Sequence, residues 1–288
     1  MTLNSYTVDT ATGALTPLQT ITYPPNTSQS GLVVHPSGKF LYVDQSPCVL
    51  AYLIDPATGS LTQSSCSAGS AVSVIPAPGD FAYQGGVSSP DPGGLTIYSV
   101  NQSDGSLTQL QTLAHVGGIA FTDPLGRAIY LLGTPGGAGG CGSFAAFQID
   151  PSSGSLTNLN TAFSAPCDPF GMTFNPVGTF AYVSSGKGES GGSPAGIYGG
   201  TIDATGNLTL ISGSPFASSA GVNYGAVEPS QGKFVIEDVN GTPNAQLLVY
   251  AIDPSTGALT QVAGVQASLP SANNYVFKML TVAPQPAN

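Results

Sequence analysis

Apolar and polar positions alternate along most of this chain in short runs, and turns interrupt the runs at a regular spacing. Leu50-Ala51-Tyr52-Leu53-Ile54 and Leu248-Val249-Tyr250-Ala251-Ile252 are two such runs. Short runs rich in aromatic and branched residues, closed by Asp, Pro and Gly, predict strands. Each leads into a turn of the form Asp-Pro-x-Thr-Gly-x-Leu-Thr, which recurs six times. Its Gly and Leu are Gly13 and Leu15, Gly59 and Leu61, Gly105 and Leu107, Gly154 and Leu156, Gly206 and Leu208, and Gly257 and Leu259. Successive glycines stand 46, 46, 49, 52 and 51 residues apart. A second short run follows each turn, so every copy predicts a hairpin with Gly at a positive φ.

Between the copies lies a second pattern, Gly-x-Phe-x-Tyr. It occurs as Gly38-Lys39-Phe40-Leu41-Tyr42, Gly79-Asp80-Phe81-Ala82-Tyr83 and Gly178-Thr179-Phe180-Ala181-Tyr182. Gly126-Arg127-Ala128-Ile129-Tyr130 and Gly232-Lys233-Phe234-Val235-Ile236 are degenerate copies. An apolar strand such as Leu32-Val33-Val34 or Met172-Thr173-Phe174 precedes each. One period therefore holds four strands, A to D, the signature of an all-β propeller of four-stranded antiparallel blades. Period-two alternation puts the Phe and Tyr of strand B on one sheet face, where they fill the space between blades.

Complete units are expected at about 31–66, 71–112, 116–160, 170–213 and 223–264. Strands C and D of another sit at about 3–20, and a lone A-like strand, Tyr275 to Val282, comes last. Joining that strand (275–283) to residues 1–20 closes a ring of six blades and makes residues 1–288 one propeller domain. The closing blade then lacks strand B. It is expected to be trimmed upstream of Met1, to close on three strands, or to accept a strand from a neighbouring molecule.

Composition narrows the function classes. Charged residues are 7% of the 288, and five Lys and Arg face 15 Asp and Glu, for a net charge of −10. So few cations cannot neutralise a run of phosphates, which argues against nucleic acid and against an anionic membrane surface. No run approaches the roughly 20 apolar residues of a spanning helix, and residues 1–20 lack a signal-peptide pattern. Much Ser, Thr and Gly, little Lys, and four cysteines predict an extracellular, secreted or cell-surface protein whose signal segment is absent from this chain.

The stretch His35-Pro36-Ser37-Gly38-Lys39-Phe40-Leu41-Tyr42-Val43, with the repeated Asp-Pro-x-Thr-Gly-x-Leu-Thr hairpin, resembles the YVTN-type repeat of the lactonase-like β-propellers, the group that includes 6-phosphogluconolactonase. The resemblance covers nearly the whole chain and implies the propeller fold. The family enzymes are usually seven-bladed, against six here. Their phosphorylated substrate would also need cations, and this chain has only Lys39, Arg127, Lys187, Lys233 and Lys278. No catalytic motif of the family maps onto these positions, so no residue role is carried over.

Four cysteines allow three pairings. Cys48 and Cys66 are symmetric about the Pro56-Ala57-Thr58-Gly59 turn, and Cys141 and Cys167 about Ser153-Gly154. Disulfides 48–66 and 141–167 are therefore expected, each at the open end of a C–D hairpin, rather than a metal site or a cofactor.

The D–A and B–C connections share one face of a propeller, and the long connections here, such as 132–144, 184–197 and 237–247, all fall on it. Its titratable residues are Asp44, Asp91, His115, Asp168, Lys187, Glu189, Glu237 and Asp238. His115, in a D–A loop, and Glu237 are the candidate general bases. Glu237-Asp238, placed after strand B, could pair with Lys187 or bind a cation. His35 shares its repeat position with Asp123, Asn175 and Glu228 and reads as turn chemistry, as do Asp9, Asp55, Asp150 and Asp253. These features predict a non-catalytic binding or assembly module. Its partners would be protein subunits, copies of itself, or a small neutral ligand. A hydrolase acting on a non-phosphorylated lactone is the rival.

Overall fold

A computed structural model describes residues 2–9, 12–24, 29–45, 47–68, 72–86, 94–133, 144–163, 166, 169–186, 194–217, 222–228, 230–239 and 246–268. Every regular element among them is a strand, and every pairing is antiparallel. The chain forms two compact units, Met1–Gly85 with Gly94–Ala114, and Gly86–Gly93 with His115–Asn288.

The first unit opens with a hairpin of β1 (Thr2–Val8) and β2 (Leu15–Thr22). One sheet follows, with β3 (Gln29–Val34), β4 (Phe40–Gln45), β5 (Cys48–Ile54) and β6 (Leu61–Ala68) in sequence order. Another has β7 (Phe81–Gly85), β8 (Gly94–Val100) and β9 (Leu107–Ala114), with Val74 bridged to Tyr83 in place of a full strand A. The second unit holds three sheets. The first is β10 (Ile119–Thr122), β11 (Ala128–Leu132), β12 (Phe144–Ile149) and β13 (Leu156–Asn158). The next is β14 (Pro169–Phe174), β15 (Phe180–Ser185), β16 (Gly196–Ile202) and β17 (Leu208–Leu210), with β18 (Phe216–Ala217) also on β16. The last is β19 (Val222–Val227), β20 (Phe234–Val239), β21 (Gln246–Ile252) and β22 (Leu259–Ser268). Four of these sheets carry the four-stranded antiparallel order expected of a blade, whereas the sheet at 71–112, expected with strands A to D, has three strands and the Val74 bridge. Residues 275–283, expected to finish a sixth, lie outside the described residues. The Cys48–Cys66 disulfide joins β5 to β6, with its Cα atoms 5.7 Å apart, while Cys141 and Cys167 lie outside the described residues.

The C–D turns form because an acid folds back on its own backbone. Asp55 Oδ1 accepts the amides of Ala57 and Thr58 at 2.8 Å, and the Gly59 amide donates to the Asp55 carbonyl at 2.7 Å. Asp253 accepts from Ser255 and Thr256 in the same way, and Asn101 substitutes its carboxamide oxygen. The closing glycine sits at φ 73° in both the Gly13 and the Gly257 turns, where an L side chain is strained.

Three of the turns also fit closely against the sheet before them. A Cβ on Gly105 would lie 2.8 Å from Phe40, one on Gly206 2.5 Å from Ala128, and one on Gly257 2.5 Å from Phe180. Phe40, Ala128 and Phe180 are the same repeat position, the first residue of strand B. Two residues on, the Tyr130 hydroxyl donates to the Gly206 carbonyl and the Tyr182 hydroxyl to the Gly257 carbonyl, both at 2.8 Å. Burial pushes both phenol pKa values up, so the hydroxyls stay donors. In the first unit the Tyr42 hydroxyl has no partner among the described residues, and Ser64 donates to the Asp104 carbonyl at 2.6 Å instead. On the A–B side, Arg127 reaches the carbonyls of Asp203, at 2.9 Å, and Gly178. Lys39 reaches the Gln102 carbonyl at 2.6 Å. His35, 1% exposed, donates from Nε2 to the Gly79 carbonyl at 2.9 Å, which makes it turn chemistry.

Two stability predictions follow from this geometry. Gly257→Ala adds a collision with Phe180 to the positive-φ penalty, so it is expected to destabilise by about 2–4 kcal/mol. Gly38→Ala has open space around it and is expected to lose only about 1–2 kcal/mol. Equal losses in urea unfolding would overturn the seating argument. The second concerns acid. The Ser255 hydroxyl and turn amides hold Asp253 at about 2, below the ordinary 3.8, and the Ser230 hydroxyl leads in holding Glu228 at about 2, below 4.5. Asp55, Asp104, Asp150 and Asp203 are lowered too, chiefly by hydrogen bonds to turn amides and hydroxyls. The unfolded chain then binds more protons, so this stability is full above the unfolded values and lost as pH falls toward the folded ones. The melting temperature should be level above about pH 5 and fall between about pH 4 and 2. A melting temperature level down to pH 2 would contradict it.

Candidate functional site

Glu237 departs from its expected place. Rather than ending a solvated loop, it lies inside β20 opposite Gly225 of β19, fully buried. Ser184 on β15 donates its hydroxyl to the carboxylate, 3.1 Å from Oε1 and 3.0 Å from Oε2. Strand alternation explains the meeting. Phe180, Tyr182 and Ser184 share the face of β15 that packs against the β19–β22 sheet, and Val235 and Glu237 share the face of β20 that looks back. The equivalent residues one sheet earlier are Leu132 and Val183, both buried in one apolar cluster. Ser184 and Glu237 therefore put a hydrogen-bonded polar pair where the preceding seam puts methyl groups.

The backbone makes room for the carboxylate. A Cβ on Gly225 would overlap it. Close by, the Val227 amide donates to Thr173 Oγ1 at 3.1 Å, tying β19 to β14. The Tyr250 phenol is raised by burial first and by the Glu237 charge second. Asp44 repeats the device in the first unit. It lies within β4, 6% exposed, and accepts the Val72 amide at 2.9 Å. A Cβ on Gly31 would stand 2.8 Å from its Oδ2.

His115 follows β9 directly, in a left-handed conformation at φ 58°, with its side chain exposed. Asp238 lies on β20 with its backbone paired to Leu247. Asp91, Asp168, Lys187 and Glu189 fall outside the described residues. Glu237 meets Ser184 and Asp44 meets the Val72 amide, and neither is brought to His115 by any described contact. In this arrangement Glu237 reaches no water and organises a seam between sheets. Ser184 was missed by a search for titratable groups. Aligning the repeats and asking where a polar residue replaces Leu132 would have found it.

The pair can be tested by stability. Ser184→Ala removes a donor from a buried carboxyl group and is expected to destabilise by about 1–3 kcal/mol. The double change Ser184→Leu with Glu237→Val rebuilds the apolar seam of Leu132 and Val183, and is expected to match or exceed the wild type in stability. A double variant less stable than Ser184→Ala in chemical unfolding would overturn this.

No family model and no curated protein matches the chain. Solved structures do. A candidate 6-phosphogluconolactonase from Bacteroides uniformis superposes with a TM-score of 0.68 at 20% identity, over 94% of this chain and 79% of that one. A second, from Bacteroides fragilis, gives 0.58 at 16% identity, over 93% and 78%. TolB from Acinetobacter baumannii gives 0.50 at 15% identity, over 86% and 57%. At these identities the likeness speaks to architecture, and together with the five repeated sheets it shows that this chain has the fold of the lactonase-like β-propellers.

Proposed function

We propose that this chain is a six-bladed propeller acting as a binding and assembly module, with the sixth blade built on the Thr2–Thr22 hairpin. Its loop face takes a small neutral ligand, and it associates with further protein subunits. The observation that carries the ligand class is the use of the basic side chains. Lys39 and Arg127 are both engaged with backbone carbonyls of the turns, on the face opposite the long loops. The described groups at the loop-face strand ends are instead carboxylates held by hydroxyls and amides, at Asp44 and Glu237. Both are buried, so they act on a ligand through their charge: a phosphate approaching this face would meet repulsion that a neutral molecule would not. The Cys48–Cys66 disulfide is consistent with an extracellular location.

One observation favours a second reading, a hydrolase acting on a non-phosphorylated lactone. The chain shares its fold with candidate 6-phosphogluconolactonases, and His115 presents an exposed imidazole, the side-chain type that most often serves as a general base. The test is acid release from glucono-1,5-lactone and from 6-phosphogluconolactone, with calorimetric titration of both sugars' ring-opened acids and of neutral oligosaccharides. The module reading expects binding of a neutral sugar without turnover, unchanged in His115→Ala. Turnover abolished by His115→Ala would establish the hydrolase instead. Preference for the phosphorylated compound would overturn the neutral-ligand assignment.

A further inference from the structure

In two seams the strand-B tyrosine ties its sheet directly to the next turn, Tyr130 to the Gly206 carbonyl and Tyr182 to the Gly257 carbonyl, both at 2.8 Å. Tyr42 holds the same repeat position in the first unit, and the Gly105 carbonyl is the corresponding acceptor. The Tyr42 hydroxyl is buried and meets no partner among the described residues, and the Ser65 hydroxyl is in the same condition. Buried hydroxyls normally find a hydrogen bond, to protein or to ordered water. These two belong to one place. Tyr42, Ala51 and Ser65 lie directly across from one another on β4, β5 and β6, so they share a sheet face. A Cβ on Gly105 would stand 3.2 Å from that of Ala51, so this face looks onto the arriving turn. All of these residues belong to the first unit, and the seam they line is internal to it.

The seam also has room. Three residues after the first Leu of strand D, the other repeats carry Leu18, Leu110, Leu159, Ile211 and Val262. Two of these fill the space beside the glycine of the next turn. Leu18 lies 3.4 Å from where a Cβ on Gly59 would stand, and Ile211 2.8 Å from one on Gly257. β6 has Ser64 at that position, and its hydroxyl lies 3.1 Å from the Ala51 carbonyl and 2.6 Å from the Asp104 carbonyl. Exchanging a branched aliphatic side chain for serine frees about the room that a water molecule needs.

We propose that the seam between the β3–β6 and β7–β9 sheets is a binding site for one internal water molecule. Tyr42 donates its hydroxyl proton to the water, and the water donates to the Gly105 carbonyl and to the Ser65 hydroxyl. Three partners are about the usual number for a buried water. The phenol keeps its proton, because burial first and the Asp104 charge second push it above the ordinary value. The same charge disfavours an anion, and three oxygen ligands fall short of what a hard cation takes. Beside the water, Ser64 donates to the Asp104 carbonyl and Ser67 accepts the Leu107 amide at 2.7 Å. β6 thus grips the arriving turn through a row of hydroxyls, where the seams of Tyr130 and Tyr182 use a direct phenol bond.

The test joins a crystal structure of the whole chain to chemical unfolding of Tyr42→Phe, Ser65→Ala and the double variant. Each change removes one hydroxyl and keeps the shape of the side chain. The crystal should show one ordered water within hydrogen-bonding distance of Tyr42 Oη, Ser65 Oγ and the Gly105 carbonyl oxygen. Each single variant takes a partner from that water and should lower the folding equilibrium constant about three- to tenfold. Both act through the same molecule, so the double variant should lose less than the product of the two. An unpaired buried hydroxyl is a cost, so a single variant as stable as the wild type, or more stable, overturns the site. Losses that multiply overturn it too, because they mean two independent contacts. A crystal in which Tyr42 Oη bonds the Gly105 carbonyl directly, as Tyr130 and Tyr182 bond theirs, overturns it as well.

Discussion

The structure depends on a glycine that is required twice. At the head of each C–D hairpin the backbone turns through positive φ, and at Gly105, Gly206 and Gly257 the preceding sheet also comes too close for a Cβ. Gly257 meets both demands, with φ 73° and Phe180 at 2.5 Å from where a methyl would be. The two sequence patterns are thus one mechanical part seen from two sides. The Asp-x-x-Thr-Gly turn is a plug, and the Gly-x-Phe-x-Tyr strand is its seat. Neither pattern alone accounts for the other's conservation of spacing along the chain. The contact between Gly206 or Gly257 and the strand one unit earlier does.

That coupling explains why the fold was legible in the sequence. Period-two alternation and the turn signature are local, and they give the antiparallel strands of the sheets, apart from the strand A that a single Val74 bridge replaces. The Cys48–Cys66 pairing was legible because the hairpin brings the two cysteines together by symmetry about Gly59. The site was less legible, for a physical reason. A carboxylate looks the same in sequence whether it ends a loop or lies inside a strand. Glu237 read as a loop end because acids are rare in strand interiors. What buries it is Gly225 across the sheet and Ser184 on another sheet, neither of which is near it in sequence. The rings that fill the seams, Tyr130 and Tyr182 among them, read correctly as packing, but their hydroxyl acceptors some 75 residues away did not.

Ser184 and Glu237 also separate two kinds of polar residue in this chain. The turn acids, Asp55 and Asp253 among them, sit in water and are repeated, so their role is structural by position. Ser184 and Glu237 stand where the preceding seam has Leu132 and Val183, and Asp44, at the position of Ser184 in the β3–β6 sheet, resembles them. A buried carboxyl group is costly to desolvate, and an apolar pair would fill the same space at less cost. The exception therefore calls for a use beyond stability. Its position at the loop-face end of strand B gives that use a place. It can fix the ends of β15 and β20, from which the adjoining loops depart.

The low charge poses a last constraint, at the sheet edges. Outer strands usually discourage edge-to-edge pairing with charged side chains, yet β2, β6, β9 and β22 carry none. The first unit uses bulges. The outer strand skips one residue of register at Leu18, at Ser64 and at Leu110, all at one repeat position, and a bulge twists an edge away from flat pairing. The displaced residue is then put to use. Leu18 lies 3.4 Å from where a Cβ on Gly59 would stand, and the Ser64 hydroxyl donates to the Asp104 carbonyl at 2.6 Å. One irregularity thus protects the edge and holds the following turn, which lets so weakly charged a chain expose long strands of Thr, Gln and Leu without offering a flat template for pairing.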